Sequence, residues 1–223
     1  MVFRTSKVAE QNKLWSGMAK ETAHQIGTPL SSLMGWVELM KLQNTAMAVV
    51  PELEKDIDRL NTIADRFSKI GSTPTLAPLE ICAVVQNTVS YFQARSSKSI
   101  VFQFEKPIAQ VWVQANEQLF GWVLENLIKN GIDAMKGKGT ISLYFFEWPH
   151  TISIEISDTG SGIKKEYLKK IFNPGFTSKK RGWGLGLSLA KKIIIDYHKG
   201  KIGIKSSEPG KGTTFEIVLK KKG

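Results

Sequence analysis

One cysteine, three histidines and no long apolar run set the first limits on this chain of 223 residues. With Cys82 as the only thiol, an intrachain disulfide and a cysteine-rich zinc site are both excluded. A lone cysteine suits a reducing cytoplasm, and Cys82 reads as ordinary packing. The longest apolar stretches, such as Ile193-Ile194-Ile195 and Tyr144-Phe145-Phe146, fall far short of the roughly 20 residues that cross a bilayer. The opening M-V-F-R-T-S-K lacks the apolar core of a signal peptide. A cytoplasmic location is therefore expected, with any membrane attachment supplied by segments upstream. The chain has no internal repeat or low-complexity tract, and its length fits one large domain or two small ones.

Charge is abundant in one sign. A net charge of +11 invites a nucleic-acid reading. However, Lys164, Lys165, Lys169, Lys170, Lys179, Lys180, Arg181, Lys191 and Lys192 crowd around glycine-rich motifs, and the tail carries Lys220, Lys221 and Lys222. Basicity beside a phosphate site is better explained by a triphosphate and an acidic protein partner. No RNA-binding or helix-turn-helix signature is present, so nucleic acid is not expected as a partner.

Apolar residues recur with heptad spacing at Ile26, Leu30, Leu33, Val37 and Met40, and again at Leu53, Ile57, Leu60, Ala64 and Phe67. Two antiparallel helices joined by a turn near residues 43 to 51 are expected. Two helices cannot bury both seams, so a homodimer forming a four-helix bundle is the natural solution. Breaker residues then dominate from Gly71 to Pro78 and read as a linker. Beyond it, period-two stretches at 101–104, 141–145, 152–156, 201–204 and 214–219 read as strands. Helical patterns lie near 82–95, 117–136 and 185–197. The expected class is α+β: a helical hairpin at residues 1–72, a linker at 73–78, and at 79–223 an α/β sandwich with one mixed sheet covered by helices.

Three motifs in the second part carry chemistry. Asn126 and Asn130 are four residues apart and Asp133 follows three later, so all three share one helix face opposite Leu119, Val123, Leu127 and Ile128. Asparagine is a poor helix former, and two on one stripe need a reason. Asp158 ends a strand and opens D-T-G-S-G, where Gly160 and Gly162 permit a tight backbone. A carboxylate there can accept from an adenine exocyclic amine and would repel a guanine oxygen. Gly182, Gly184 and Gly186 free the backbone where a helix begins at Leu185, so N–H groups would face phosphates. A dinucleotide fold fails because no βαβ fingerprint surrounds this run.

His24 lies in A-H-Q-I-G-T-P-L-S-S-L, at a heptad position that points away from the seam. An imidazole with an ordinary pKa of about 6.5 keeps one ring nitrogen free to attack phosphorus at cytoplasmic pH. Pro29 cannot donate to the carbonyl of Gln25 and should bend the helix there, while Thr28 shares the face of His24. His150 falls in an expected hairpin turn. His198 falls at an expected helix end, where it suits a contact with the last carbonyls.

Together the blocks around His24, N-L-I-K-N from Asn126, D-T-G-S-G from Asp158 and G-W-G-L-G-L from Gly182 resemble the catalytic core of sensor histidine kinases, over nearly all of the chain. The resemblance implies ATP and Mg2+ as ligands, with Asn130 ligating the metal. Phe172 and Phe176 match the family's F-box, and residues 164–183 would be its ATP lid. Phe176, Thr177, Leu185 and Leu187 join the nucleotide-binding set, and Lys179 would meet the γ-phosphate, with Lys180 and Arg181 as alternatives. His24 would be phosphorylated and its phosphoryl group passed to an aspartate on a response regulator receiver domain. In the family, the residue at the position of Thr28 places the water that dephosphorylates the regulator. Met1 would then lie near a cut point in a longer protein. Three positions depart from the pattern: Gln25 stands where an acid is usual, Gly131 where alanine is usual, and Trp183 where threonine is usual. An ATPase of the same superfamily without autophosphorylation, or a dimeric scaffold that has lost transfer, are the alternatives.

Overall fold

The computed structural model describes residues 30, 31, 33–42, 50, 51, 53, 54, 57, 58, 60, 61, 74–105, 109–178 and 184–222. The chain divides into two compact units, Met1–Pro74 and Thr75–Gly223.

In the first unit the described residues of 30–42 (α1) and of 50–61 (α2) are helical. Leu30, Val37, Val50 and Ile57 are buried together, with Met40 and Leu53 packed against them. Lys41 pairs with Glu54, and Asn61 reaches the Met34 sulfur at 3.6 Å. Leu33, Met34, Trp36, Leu39, Leu42 and Leu60 remain substantially exposed. The heptad pattern is thus half satisfied within one copy of this unit.

The second unit is α+β. Its main sheet has five strands in the order β2, β4, β5, β7, β6. These are β2 (Ile100–Phe104), β4 (Gly139–Glu147), β5 (Thr151–Asp158), β6 (Lys201–Glu208) and β7 (Gly212–Lys220). Only β2 and β4 pair in parallel; the remaining neighbours are antiparallel, so the sheet is mixed. The helices are α3 (Ile81–Arg95), α4 (Glu117–Met135) and α5 (Gly186–Lys192), the last running into a π-helical turn at Ile193–Tyr197. Alternation along β5 buries Ile152, Ile154 and Ile156 with Phe120, Leu124 and Leu127 of α4 in one core. Each such fully buried side chain contributes about 1.5–3 kcal/mol.

The opposite face of the sheet is polar. Glu155 and Glu216 stand directly across from one another. Ser153 donates to Glu216 at 2.8 Å, and Lys205 pairs with Glu155.

Two strands escape the period-two reading. β1 (Ala77–Glu80) pairs antiparallel with β3 (Trp112–Ala115) in a separate two-stranded sheet. Ala77 and Pro78, read from the sequence as the end of a linker, are therefore part of a strand. Proline is tolerated in such a short edge pairing, where its missing N–H is not needed by a central ladder.

Helix starts are set by side chains. Glu80 accepts from the N–H groups of Cys82 and Ala83, at 3.1 and 2.7 Å, to begin α3. Asn116 accepts from the Leu119 N–H at 3.1 Å to begin α4. Its own N–H donates to His198 Nε2 at 3.0 Å, and its side-chain amide donates to the Thr75 carbonyl at 3.1 Å. One residue thereby joins the start of α4 to the end of the π-helical turn and to the beginning of the unit. Among the described residues, no helix is long and apolar enough to cross a membrane.

Candidate nucleotide-binding site

The polar face of α4, the C-terminal end of β5 and the start of α5 converge. Asn126 and Asn130 are half-buried and Asp133 is exposed, while Leu119, Val123, Leu127 and Ile128 are buried on the opposite side. The Asn126 amide donates to the Trp122 carbonyl at 3.0 Å, one turn back along the helix. A Cβ added to Gly186 would lie 2.8 Å from Asn126 Oδ1. The first residue of α5 is therefore set directly against the asparagine stripe.

Asp158 is the centre of the arrangement. It is 8% exposed, and its carboxylate accepts the Gly160 N–H at 2.8 Å and the Thr213 N–H from β7. Burial pushes this carboxyl above its ordinary range, and the two backbone N–H groups offset part of that rise. Such a carboxylate keeps acceptor capacity for a further donor, and burial makes an unmatched partner costly.

The loop after Asp158 is braced from two sides. Ser161 N–H donates to Ala134 in α4 at 3.1 Å, and Gly210 N–H donates to Ser161 from the β6–β7 turn at 2.8 Å. Ile163 N–H donates to Ser207 at 2.9 Å, and Ser207 in turn meets the Thr213 hydroxyl at 2.9 Å. Gly162 has φ +65, and a side chain there would collide with the Glu208 carbonyl. Glycine is required at this point by both backbone and space.

Downstream, Gly175 N–H donates to the Gly184 carbonyl at 3.1 Å. Gly184 has φ +66, and a Cβ there would lie 2.5 Å from the Gly175 carbonyl carbon. Gly184 is thereby held against the backbone of Gly175 and Phe176. Phe176 packs against Tyr167 with ring centroids 5.4 Å apart. Phe172 meets Phe215 at 6.3 Å, with the Lys191 ammonium 5.6 Å from its centroid. Thr177 is exposed; Gly184, Leu185, Gly186 and Leu187 are half-buried.

Thus Asn126 and Gly186 are brought together, as are Asp158 and Gly160, while Gly160 also abuts Ala134 beside Asp133. His24, Gln25, Thr28, Lys179 and Gly182 lie outside the described residues. Thr213, Gly131 and Gly175 take part without having been singled out by their chemistry. Nothing in local sequence marks Thr213, because its contact depends on the β5–β7 register that sets it opposite Asp158.

The profile of the family described as histidine kinase-, DNA gyrase B- and HSP90-like ATPases matches residues 115–223. The sensor histidine kinase ZraS of Escherichia coli strain K12 is 31% identical over 209 residues, 91% of this chain and 44% of that protein. The chain spans less than half the length of the first such curated relatives. Among solved structures, the catalytic domain of histidine kinase ThkA is 30% identical with a TM-score of 0.61, covering 66% of this chain and 97% of that one. ThkA in complex with the response regulator protein TrrA is 25% identical with a TM-score of 0.62, covering 96% of this chain and 64% of that one.

Proposed function

Because this chain belongs to the histidine kinases through a GHKL-type catalytic domain, we propose that it binds Mg-ATP, phosphorylates itself on His24 and passes the phosphoryl group to a receiver-domain aspartate. The observation that carries this reading is the buried Asp158 carboxylate, held by two backbone N–H groups beside the asparagine face of α4. That acceptor suits an adenine exocyclic amine, since a buried acceptor discriminates strongly against a base offering an oxygen instead. ATP would supply the γ-phosphoryl group, with Mg2+ offsetting phosphate charge when bound. A hard cation that retains several waters fits a neutral amide oxygen, which Asn130 provides. Gly182, Gly184, Leu185, Gly186 and Leu187 would present backbone N–H groups to the phosphates, with Lys179 as the cationic partner.

His24 serves as nucleophile through its unprotonated ring nitrogen, and Gln25 accepts the hydrogen bond from the other. Thr28, four residues after His24 in sequence, positions water for dephosphorylation of the regulator. The exposed Leu33, Met34, Trp36, Leu39, Leu42 and Leu60 support a homodimeric four-helix bundle in which a second copy covers them. A receiver domain as partner draws support from the ThkA complex with its response regulator.

A calorimetric titration tests the site. Asp158→Asn should weaken ATP by about tenfold or more, the roughly 1–3 kcal/mol of a buried contact. Asn130→Ala should weaken ATP only when magnesium is present. Wild-type affinity in Asp158→Asn would overturn the adenine assignment.

A further inference from the structure

The main sheet has a second end, away from Asp158. β5 runs eight residues from the β4–β5 hairpin to that carboxylate, so the hairpin lies roughly 23 Å from it. At the tip Trp148, Pro149 and His150 are all exposed, Trp148 at 61%. The backbone holds this tip in place: Trp148 N–H donates to the Thr151 carbonyl at 2.9 Å, and the His150 carbonyl accepts the Lys221 N–H at 3.0 Å. On the other side of the chain leaving β7 stands β3, where Lys222 N–H donates to the Trp112 carbonyl at 2.7 Å and Val113 pairs with Lys221. Trp112 is 45% exposed. About two strand spacings, roughly 10 Å, therefore separate the backbones that carry the two indoles.

The same end is basic. Lys221 pairs with Glu147 at 2.7 Å, while Lys201 at the start of β6 and Lys220 and Lys222 around the end of β7 are exposed. Lysines act as point charges, without the planar fork by which arginine selects one carboxylate or phosphate. Tryptophan has an apolar body and a polar N–H, and settles where water meets hydrocarbon. Rings on a projecting turn need a partner that yields around them, and a lipid headgroup layer does so without a matching cleft. A groove for single-stranded nucleic acid instead lines its rings along a channel.

We propose that this end of the nucleotide-binding unit docks on an anionic lipid surface: Trp112 and Trp148 enter the headgroup layer, and Lys201, Lys220 and Lys222 meet its negative charge. Docking there leaves Asp158 and the asparagine face of α4 at the opposite end, open to nucleotide.

Sedimentation of the full chain with lipid vesicles tests this. The chain should bind vesicles of equimolar phosphatidylcholine and phosphatidylserine, bind phosphatidylcholine alone far more weakly, and release as salt is raised. Trp148→Ser should weaken binding by about tenfold, the effect of withdrawing one large apolar side chain. Lys220→Gln/Lys222→Gln should weaken it by roughly 30-fold, since each lysine beside such a surface contributes about fivefold. These variants should keep wild-type ATP affinity and thermal midpoint. Val101→Ser, which alters an exposed apolar residue of β2 (52%), should keep wild-type vesicle binding. No binding to the mixed vesicles, equal binding to neutral ones, or wild-type binding in both the Trp148 and lysine variants would overturn the proposal. Absence of vesicle binding together with binding of a single-stranded oligonucleotide that the same substitutions weaken would overturn the lipid reading in favour of nucleic acid.

Discussion

His198 holds two parts of the nucleotide-binding unit together, and replacing it with leucine should show how strongly. The ring is 5% exposed, contacts the Ile193 carbonyl through Nδ1 at 2.9 Å and accepts the Asn116 N–H at Nε2. That pattern requires a neutral ring with its proton on Nδ1. Phe120 packs edge-on against it, with centroids 6.2 Å apart. Leucine preserves much of the volume but removes both polar contacts, so the Asn116 N–H and the Ile193 carbonyl lose their side-chain partner. The Ile193 carbonyl keeps the backbone N–H of residue 198 at 3.1 Å, so the Asn116 N–H is the group left orphaned, at a cost of about 1–3 kcal/mol. At about 2–4 °C per kcal/mol for a chain of this size, the midpoint should fall by roughly 2–12 °C.

The pH dependence carries a sign. Burial lowers the His198 pKa below its ordinary value, and the Ile193 carbonyl at Nδ1 offsets only part of that. Between the lowered value and about 6.5, the unfolded chain binds a proton that the folded chain does not, so stability falls as pH drops through that window. His198→Leu cannot show this contribution. The stability gap between wild type and variant should therefore narrow from pH 7.5 to pH 5.5, measured by urea denaturation at each pH. An unchanged midpoint, or a gap constant with pH, would refute the role given to this ring.

Gly184→Ala, with a Cβ forced onto the Gly175 backbone at positive φ, should weaken ATP by at least about tenfold. Gly210→Ala, at φ +81 with nothing within 4 Å of its Cβ, should lose some stability but bind ATP normally; titration of both variants checks the contrast. Lys205→Met removes the cation beside the facing pair Glu155 and Glu216. Denaturation should show a loss of stability that is larger at low salt than at high salt. Gln25→Glu should speed labelling of His24 without changing ATP affinity, because a carboxylate supports positive charge on the ring better than an amide. The gain should lie at or below the low end of the roughly 10²- to 10⁴-fold range for acid-base assistance, read from initial labelling rates.

The α+β unit was legible because its strands alternate strongly. Ile152, Ile154 and Ile156 face one way and Ser153, Glu155 and Ser157 the other, so period two identifies both the strand and its core face. β1 and β3 were hidden for a physical reason. Each is four residues long, and their pairing joins segments more than 30 residues apart, so no local pattern encodes it. The π-helical end of α5 was equally invisible, since its hydrogen bonding depends on where His198 lodges.

Site residues separate along the same line. Asn126, Asp158 and Gly186 could be found from spacing and from their place at element ends. Thr213 could not, since it reaches Asp158 only through strand register. Gly131 stood out in sequence merely as a substitution for alanine. In the fold it packs against Ile141 and Asp158, a contact across elements that local sequence does not encode. On the helical unit, the heptads marked Leu30, Val37 and Ile57 as core. Leu33 and Leu60 follow the same rhythm yet stay exposed in a single copy, because periodicity reports a face and not what covers it.

Labelling with γ-phosphate-labelled ATP and magnesium reads autophosphorylation on the chain itself. The chain should acquire phosphate that is labile to acid and stable to base, as a phosphoramidate is. His24→Ala should abolish that label while retaining ATP affinity. Label that persists in His24→Ala, or that survives acid, would contradict the account.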